Sequence, residues 1–136
     1  MSAPPAPAAV SVAEPTPSST LEALPNLDSG AFFALDLRIG TITSAKPNAK
    51  ARKPAYVLTI DFGTAIGVKT SSAQLTHNYT PESLTGRQIV AAVNLGERRI
   101  AGIKSQVLVL GVDKAGDGVI SLLSVDGDTP NGTRVS

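Results

Sequence analysis

Lys50, Arg52 and Lys53 place three cations within four positions, and Arg98, Arg99 and Lys104 place three more within seven. Ammonium and guanidinium groups at this density suit the neutralisation of phosphates, and arginine can grip two phosphate oxygens at once. A solvated basic loop is the alternative reading of the same charges. Asn94 and Ser105 flank the second cluster. Each offers a hydrogen bond to a ligand, or equally to its own loop. Adjacent arginines in a strand or turn project to opposite sides, so one of Arg98 and Arg99 faces a ligand while the other serves the fold or a subunit contact.

Other chemistry is poorly provided for. There is no cysteine, and His77 is the only histidine. This leaves no thiolate nucleophile, no disulfide and no zinc site built on cysteines. No metal and no cofactor is expected. Ser71 and Ser72 are adjacent hydroxyls with His77 near in sequence. A helix cap is the expected role for the serines, and a surface position for His77. Asp36, Asp61 and Glu82 supply carboxylates, but nothing in the sequence brings two of them together, so no enzyme activity is expected. Arg38 alternates with Leu37 and Ile39, which makes it a ligand contact or an ion-pair partner of Asp36 or Asp61. Aromatic residues make up 4% of the chain. Base stacking on rings is therefore a minor resource, which favours recognition of a folded RNA by shape and backbone. Tyr56 is expected in the core, Tyr79 is a candidate platform, and Phe32 and Phe33 are candidates to plug a barrel end or meet a second subunit.

Charge is segregated along the 136 residues. Residues 1–31 hold three acidic residues and no basic one; residues 32–110 hold ten basic and four acidic, a balance of +6; residues 111–136 carry −2. A basic middle segment suits an anionic partner. Residues 1–30 are rich in Ala, Pro, Ser and Thr with few large apolar groups, the composition of a disordered tail, with a weak helical signal at Thr20–Leu24. The folded domain is expected over 31–136. No apolar run reaches the roughly 20 residues of a membrane helix and no secretory leader is evident, so a cytoplasmic protein with no membrane insertion is expected.

The elements that must position the cations read as β-strands. Leu35–Ile39 alternates, and the phase slips before Ile42 with Gly40 at the slip, which suggests a bulge or bend there. Tyr56, Leu58, Ile60 and Phe62 share one face of a second strand. Gly63-Thr64 suits a tight turn into a third strand through Ile66, Val68 and Thr70. Residues 71–85 break the pattern. A short helix over Ala73–Leu75 capped by Ser71 or Ser72, and a second turn starting at Thr80-Pro81, are expected there. Ile89–Val93, Gln106–Leu110 and Val119–Leu123 are apolar runs that suit buried strands, the last after a turn at Lys114–Gly118; the final residues suit a turn and one short strand.

Three strands, a helical connection, then two strands with extra β-structure is the order of an OB-fold. The expected class is all-β: a five-stranded Greek-key barrel with a short helical connection. Such barrels bind oligomers on the face of strands 2 and 3, between the loops joining strands 1–2 and 4–5. Those loops are residues 46–55 and 95–105, and they are the two basic segments.

Leu35-Asp36-Leu37-Arg38-Ile39-Gly40-Thr41-Ile42 resembles the first strand of the tRNA-binding domain family. Ile60-Asp61-Phe62-Gly63, Ser71-Ser72-Ala73-Gln74, the stretch from Asn94-Leu95 through Arg98-Arg99-Ile100-Ala101-Gly102-Ile103-Lys104-Ser105, and Pro130-Asn131-Gly132-Thr133 resemble its CsaA branch, bacterial secretion-associated and chaperone-like. The resemblance covers residues 33–136. It implies an OB-fold homodimer, a partner that is tRNA or other structured RNA, and, for that branch, binding of unfolded or export-bound polypeptides. Two departures stand out: the Ala/Pro-rich tail, and Gly96-Glu97 where the branch leads one to expect a proline pair. Glu97 sets a negative charge in a loop expected to meet phosphates.

Overall fold

The computed structural model of the chain describes residues 22–113, 116 and 119–136. The tail reading over residues 1–21, and most of the turn at Lys114–Gly118, lie outside the described residues. Residues 22–28 are not helical; among the described residues the first element is a short helix, α1 (Ser29–Ala34).

Five strands form one antiparallel sheet. β1 (Leu37–Pro47) pairs along one edge with β2 (Tyr56–Asp61) and along the other with β4 (Gln88–Ala92). β2 pairs with β3 (Val68–Ala73), and β4 with β7 (Leu108–Val109). The sheet curls until its outer members meet. Gln106 N donates to Thr70 O at 2.7 Å, and the Ser71 hydroxyl donates to Val107 O at 3.0 Å. This nearly closed five-stranded barrel is the expected OB-fold. A helical turn α2 (Pro81–Leu84) links β3 to β4. Two small hairpins complete the described structure: β5 (Arg98–Ile100) with β6 (Ile103–Ser105), and β8 (Gly111–Asp113) with β9 (Ile120–Leu122).

The alternation in β2 does what it promises. Tyr56, Leu58, Ile60 and Phe62 are buried in the barrel interior with Ile42, Ile89 and Ala91. β4 is buried on both faces, with Val90 and Ala92 joining Leu37 and Ile39 in a second cluster, against which Val125 and Val135 pack. This second cluster explains the phase slip in β1. Leu37 and Ile39 face the outer cluster, whereas Ile42 faces the interior. Gly40 is no bulge: its register with Ile89 is regular, and the irregularity falls between Ile42 and Ser44. What Gly40 provides is room, since a Cβ there would stand 2.7 Å from Ile60 Cγ2 and from Phe62 Cδ1. The C-terminal segment occupies the edge of β1 that β2 leaves open. Ile39 N donates to Thr133 O, Gly132 N to Ile39 O and Val135 N to Leu37 O.

Three further expectations need correcting. The β2–β3 turn is wider than two residues, closing through Gly67 N to Gly63 O at 2.7 Å and Phe62 N to Gly67 O at 3.0 Å. Ser71 and Ser72 cap no helix; they lie in β3, and the helix over Ala73–Leu75 is absent. The Ser71 hydroxyl serves the barrel seam, donating to Val107 O, and the Ser72 backbone N–H donates to Ser105 Oγ at the base of the β5–β6 hairpin. Phe32 and Phe33 plug nothing: α1 buries no residue, and the two rings pack edge to face at 5.3 Å on the surface. The second helical turn does form as expected, with Pro81 in its first turn and a reciprocal capping box between Thr80 and Ser83.

Candidate functional site

The β1–β2 connection folds back on itself. Asn48 N donates to Ala55 O, and Lys50 N donates to Asn48 Oδ1 at 3.0 Å. A side-chain oxygen that accepts from the amide two residues on makes an Asx turn, a device that fixes loop shape without a strand. Lys50, Arg52 and Lys53 are exposed on this loop.

The second basic segment is itself a hairpin, β5–β6. Its register sets Arg98 opposite Ser105, Arg99 opposite Lys104 and Ile100 opposite Ile103. Ala101 and Gly102 make the turn, both with positive φ, at 48° and 82°. That is the pattern of a type I′ turn, which matches the twist of the strands it joins. The base of the hairpin is tied to β3: Ser72 N donates to Ser105 Oγ at 3.1 Å, and Thr70 N donates to Gln106 Oε1 at 3.0 Å.

The two basic segments meet at the hairpin tip. The Lys50 side chain lies over Gly102, so that a Cβ on Gly102 would stand 3.2 Å from Lys50 Cδ and 3.7 Å from Nζ. Asn48 Nδ2 lies 3.5 Å from Ala101 O, the outer limit of a hydrogen bond. Between loop and hairpin runs a groove of about 370 Å³ whose lining includes Lys46, Val57 and Ile103.

Cross-strand partners share a face and neighbours alternate. One face of the hairpin therefore carries Arg98, Ile100, Ile103 and Ser105, and the other carries Arg99 and Lys104. The buried Ser105 and its bond to Ser72 turn the first face toward the barrel. Arg98 and Ile100 line a second groove of about 430 Å³ with Leu95, Val107 and Leu108. Arg99 and Lys104 are exposed, two like charges directly opposite each other. Glu97 lies beside them, its carboxylate 3.8 Å from Lys104 Nζ and accepting from Gln106 Nε2 at 3.2 Å. No ion pair to a described residue neutralises Lys50, Arg52, Lys53, Arg98 or Arg99.

The remaining candidates divide clearly. Asn94 is engaged with the chain: its Oδ1 accepts from Asp36 N at 2.8 Å, and its Nδ2 donates to Ala34 O at 2.9 Å. It clamps the end of β4 to the start of β1. Ser105 is likewise engaged, at the hairpin base. Arg38 takes the ion-pair role, donating to both carboxylate oxygens of Asp36 and to Gly132 O. Ser71 is buried in β3 with its hydroxyl bonded to Val107 O, and His77 is exposed in the turn that follows, which leaves no nucleophile–base pair. Tyr56 is core, and its hydroxyl donates to Tyr79 O. Tyr79 is no stacking platform: its ring is covered by the Arg87 guanidinium at 5.1 Å, and its hydroxyl accepts from Leu122 N. Among the described residues, no cluster of His, Cys, Asp or Glu could hold a metal, and no helix is long and apolar enough to cross a membrane. Sequence reasoning passed over Lys46 and Asn48 as site residues. Lys46 was visible as the first cation of its segment, but Asn48's bridging role depends on the folded hairpin.

The family model described as "Putative tRNA binding domain" matches residues 37–134, from the first residue of β1 to the residue that bridges Arg38 at the C-terminal edge. The chain belongs to the tRNA-binding domain family. Its likeness within that family is to CsaA. The solved structure of chaperone CsaA from Bacillus anthracis str. Ames is 51% identical with a TM-score of 0.75, covering 82% of this chain and 100% of that one. The CsaA chaperone protein from Picrophilus torridus is 40% identical with a TM-score of 0.74 over the same shares. The resemblance to the CsaA branch read from the motifs is thus borne out. A methionine–tRNA ligase from Flavobacterium johnsoniae is 34% identical over 105 residues, 77% of this chain but 14% of the ligase. The chain spans about one seventh of the length of that relative, so it shares a tRNA-binding-type module with the ligase and leaves most of the ligase unmatched.

Proposed function

We propose that the protein is a non-catalytic, dimeric, tRNA-binding-type protein of the cytoplasm, taking tRNA or another structured RNA on the surface where the β1–β2 loop meets the β5–β6 hairpin. The observation that carries this is the contact of Lys50 with Gly102. It joins two exposed cation clusters into one electropositive surface at the OB-fold loops where oligomers dock. Lys50, Arg52, Lys53, Arg98, Arg99 and Lys104 act on phosphates. Asn94 and Ser105 act indirectly, by holding β4 and the hairpin base in place. Tyr56, Phe62 and Tyr79 are buried or covered and Phe32 and Phe33 pack on each other, so few rings are offered to bases, which fits recognition of a folded RNA through backbone and shape. A second copy would cover the apolar residues exposed around α1, including Phe32 and Phe33.

The test is tRNA binding across a salt titration. Each phosphate neutralised contributes a slope of about −0.7 to −0.9 in log affinity against log salt. With about three contacts per subunit, a dimer gives a total slope of roughly −4 to −5. Affinity that ignores salt would reject the proposal.

A second reading has its own support. The barrel-facing side of the hairpin offers apolar lining, with Ile100 in one groove beside Arg98 and Ile103 in the other, and the CsaA relatives are called chaperones. In this reading the protein binds unfolded or export-bound polypeptides and has no physiological RNA ligand. It predicts suppression of the aggregation of a denatured client with little salt dependence; a client that aggregates equally with and without the protein counts against it.

A further inference from the structure

We propose that Glu97 is an internal counter-charge that weakens the grip of the hairpin on a polyanion by competing for Lys104. The inference rests on the RNA reading above and deepens it, by naming the residue that sets how tightly that surface binds.

Three observations carry it. The Glu97 carboxylate is held, not free: one oxygen accepts from Gln106 Nε2 at 3.2 Å, while the Oε1 of the same Gln106 amide accepts from the backbone of Thr70 at 3.0 Å. Gln106 thus splints the carboxylate to β3. The other carboxylate oxygen lies 3.8 Å from Lys104 Nζ. Lys104 in turn sits directly across from Arg99, on the hairpin face that carries no apolar residue of the paired positions. A phosphate drawn to the Arg99–Lys104 pair therefore meets a fixed negative charge of the same sign as itself.

The pair has little structural value. Both side chains are more than half exposed, at 58% and 52%, and exposed pairs of this kind add little to stability. The fold would lose almost nothing without the charge, whereas a polyanion would gain a free ammonium. Screening extends only about 10 Å at 0.1 M salt, so a carboxylate this close to the docking cation acts at short range even in moderate salt.

Glu97→Gln is the informative variant. It keeps an oxygen to accept from Gln106 and removes only the charge. With tRNA as the probe, the variant is expected to bind about three- to ten-fold tighter than the native protein at low salt for each subunit engaged, from one charge contact of about 4 Å per subunit in a water-like medium. The total salt slope of the dimer is expected to steepen by about 1.4 to 1.8, as Lys104 of each subunit becomes free to neutralise one more phosphate. In a Lys104→Gln background the gain should shrink, because the competition is for that ammonium. The thermal midpoint should stay unchanged. If both proteins bind tRNA equally, or the gain persists undiminished in the Lys104→Gln background, the counter-charge role is overturned while the RNA reading stands. If no variant binds tRNA at any salt, the RNA reading falls and takes the inference with it.

Discussion

The hairpin tip is where folding and binding are most tightly coupled, and Gly102→Val tests that coupling. Gly102 has φ of 82°, a conformation costing an L-residue roughly 1–2 kcal/mol. A Cβ there also presses on the Lys50 stem from 3.2 Å. The β5–β6 ladder has three cross-strand pairs and no ladder to the main sheet, so it has little to absorb that cost. A cost of about 1–2 kcal/mol raises the open population of the tip roughly five- to thirty-fold. Hydrogen exchange at the amides of residues 100–103 should accelerate by that factor, while exchange in β2 and β4, which line the barrel core, stays at the native rate. Affinity for tRNA should fall only as far as the open form becomes a sizeable fraction of the molecules. Ala101→Asn should act in the opposite sense, because asparagine accepts the positive φ that alanine adopts at 48° and an Asn-Gly pair favours this turn. A valine variant whose tip is mostly open but whose tRNA affinity is unchanged would refute the argument that the hairpin's shape matters to binding.

Other consequences concern the scaffold. Gly40→Ala places a methyl 2.7 Å from Ile60 and Phe62 inside the barrel, and urea unfolding should show a loss of about 1–3 kcal/mol. Ser71→Ala removes the hydroxyl that bonds Val107 O at the seam, leaving a buried carbonyl without that donor; a loss of about 1–2 kcal/mol is expected by the same assay, with tRNA affinity of the folded protein unchanged. Thr80→Ala removes one arm of the capping box and should cost about 0.5–2 kcal/mol in the thermal or urea midpoint.

The barrel was legible where one strand face meets one core. β2 alternates cleanly because its apolar face has a single destination, and β4 reads as a continuous apolar run because both its faces are covered. β1 misled because it passes between two cores: Leu37 and Ile39 serve the outer cluster and Ile42 the inner one, so the period shifts without any bulge at Gly40. The seam misled for another reason. Ser71 and Ser72 look like a helix start, yet the Ser71 hydroxyl pairs with Val107 and the Ser72 backbone amide with Ser105, residues more than thirty positions away that local patterning cannot see. The basic segments were legible as charge, and their convergence followed from the fold class. The hairpin inside the second segment was not anticipated, although Ala101-Gly102 between two isoleucines carried a turn signal. That hairpin decides which cations share a face, and thereby separates Arg98 from Arg99.

The most direct test of the account is an amide chemical-shift map of the protein titrated with tRNA. Residues 48–53 and 98–104 should shift together with one common affinity, while α2 and His77 remain silent. Shifts confined to one of the two basic segments, or centred on α2, would contradict a single binding surface built from both.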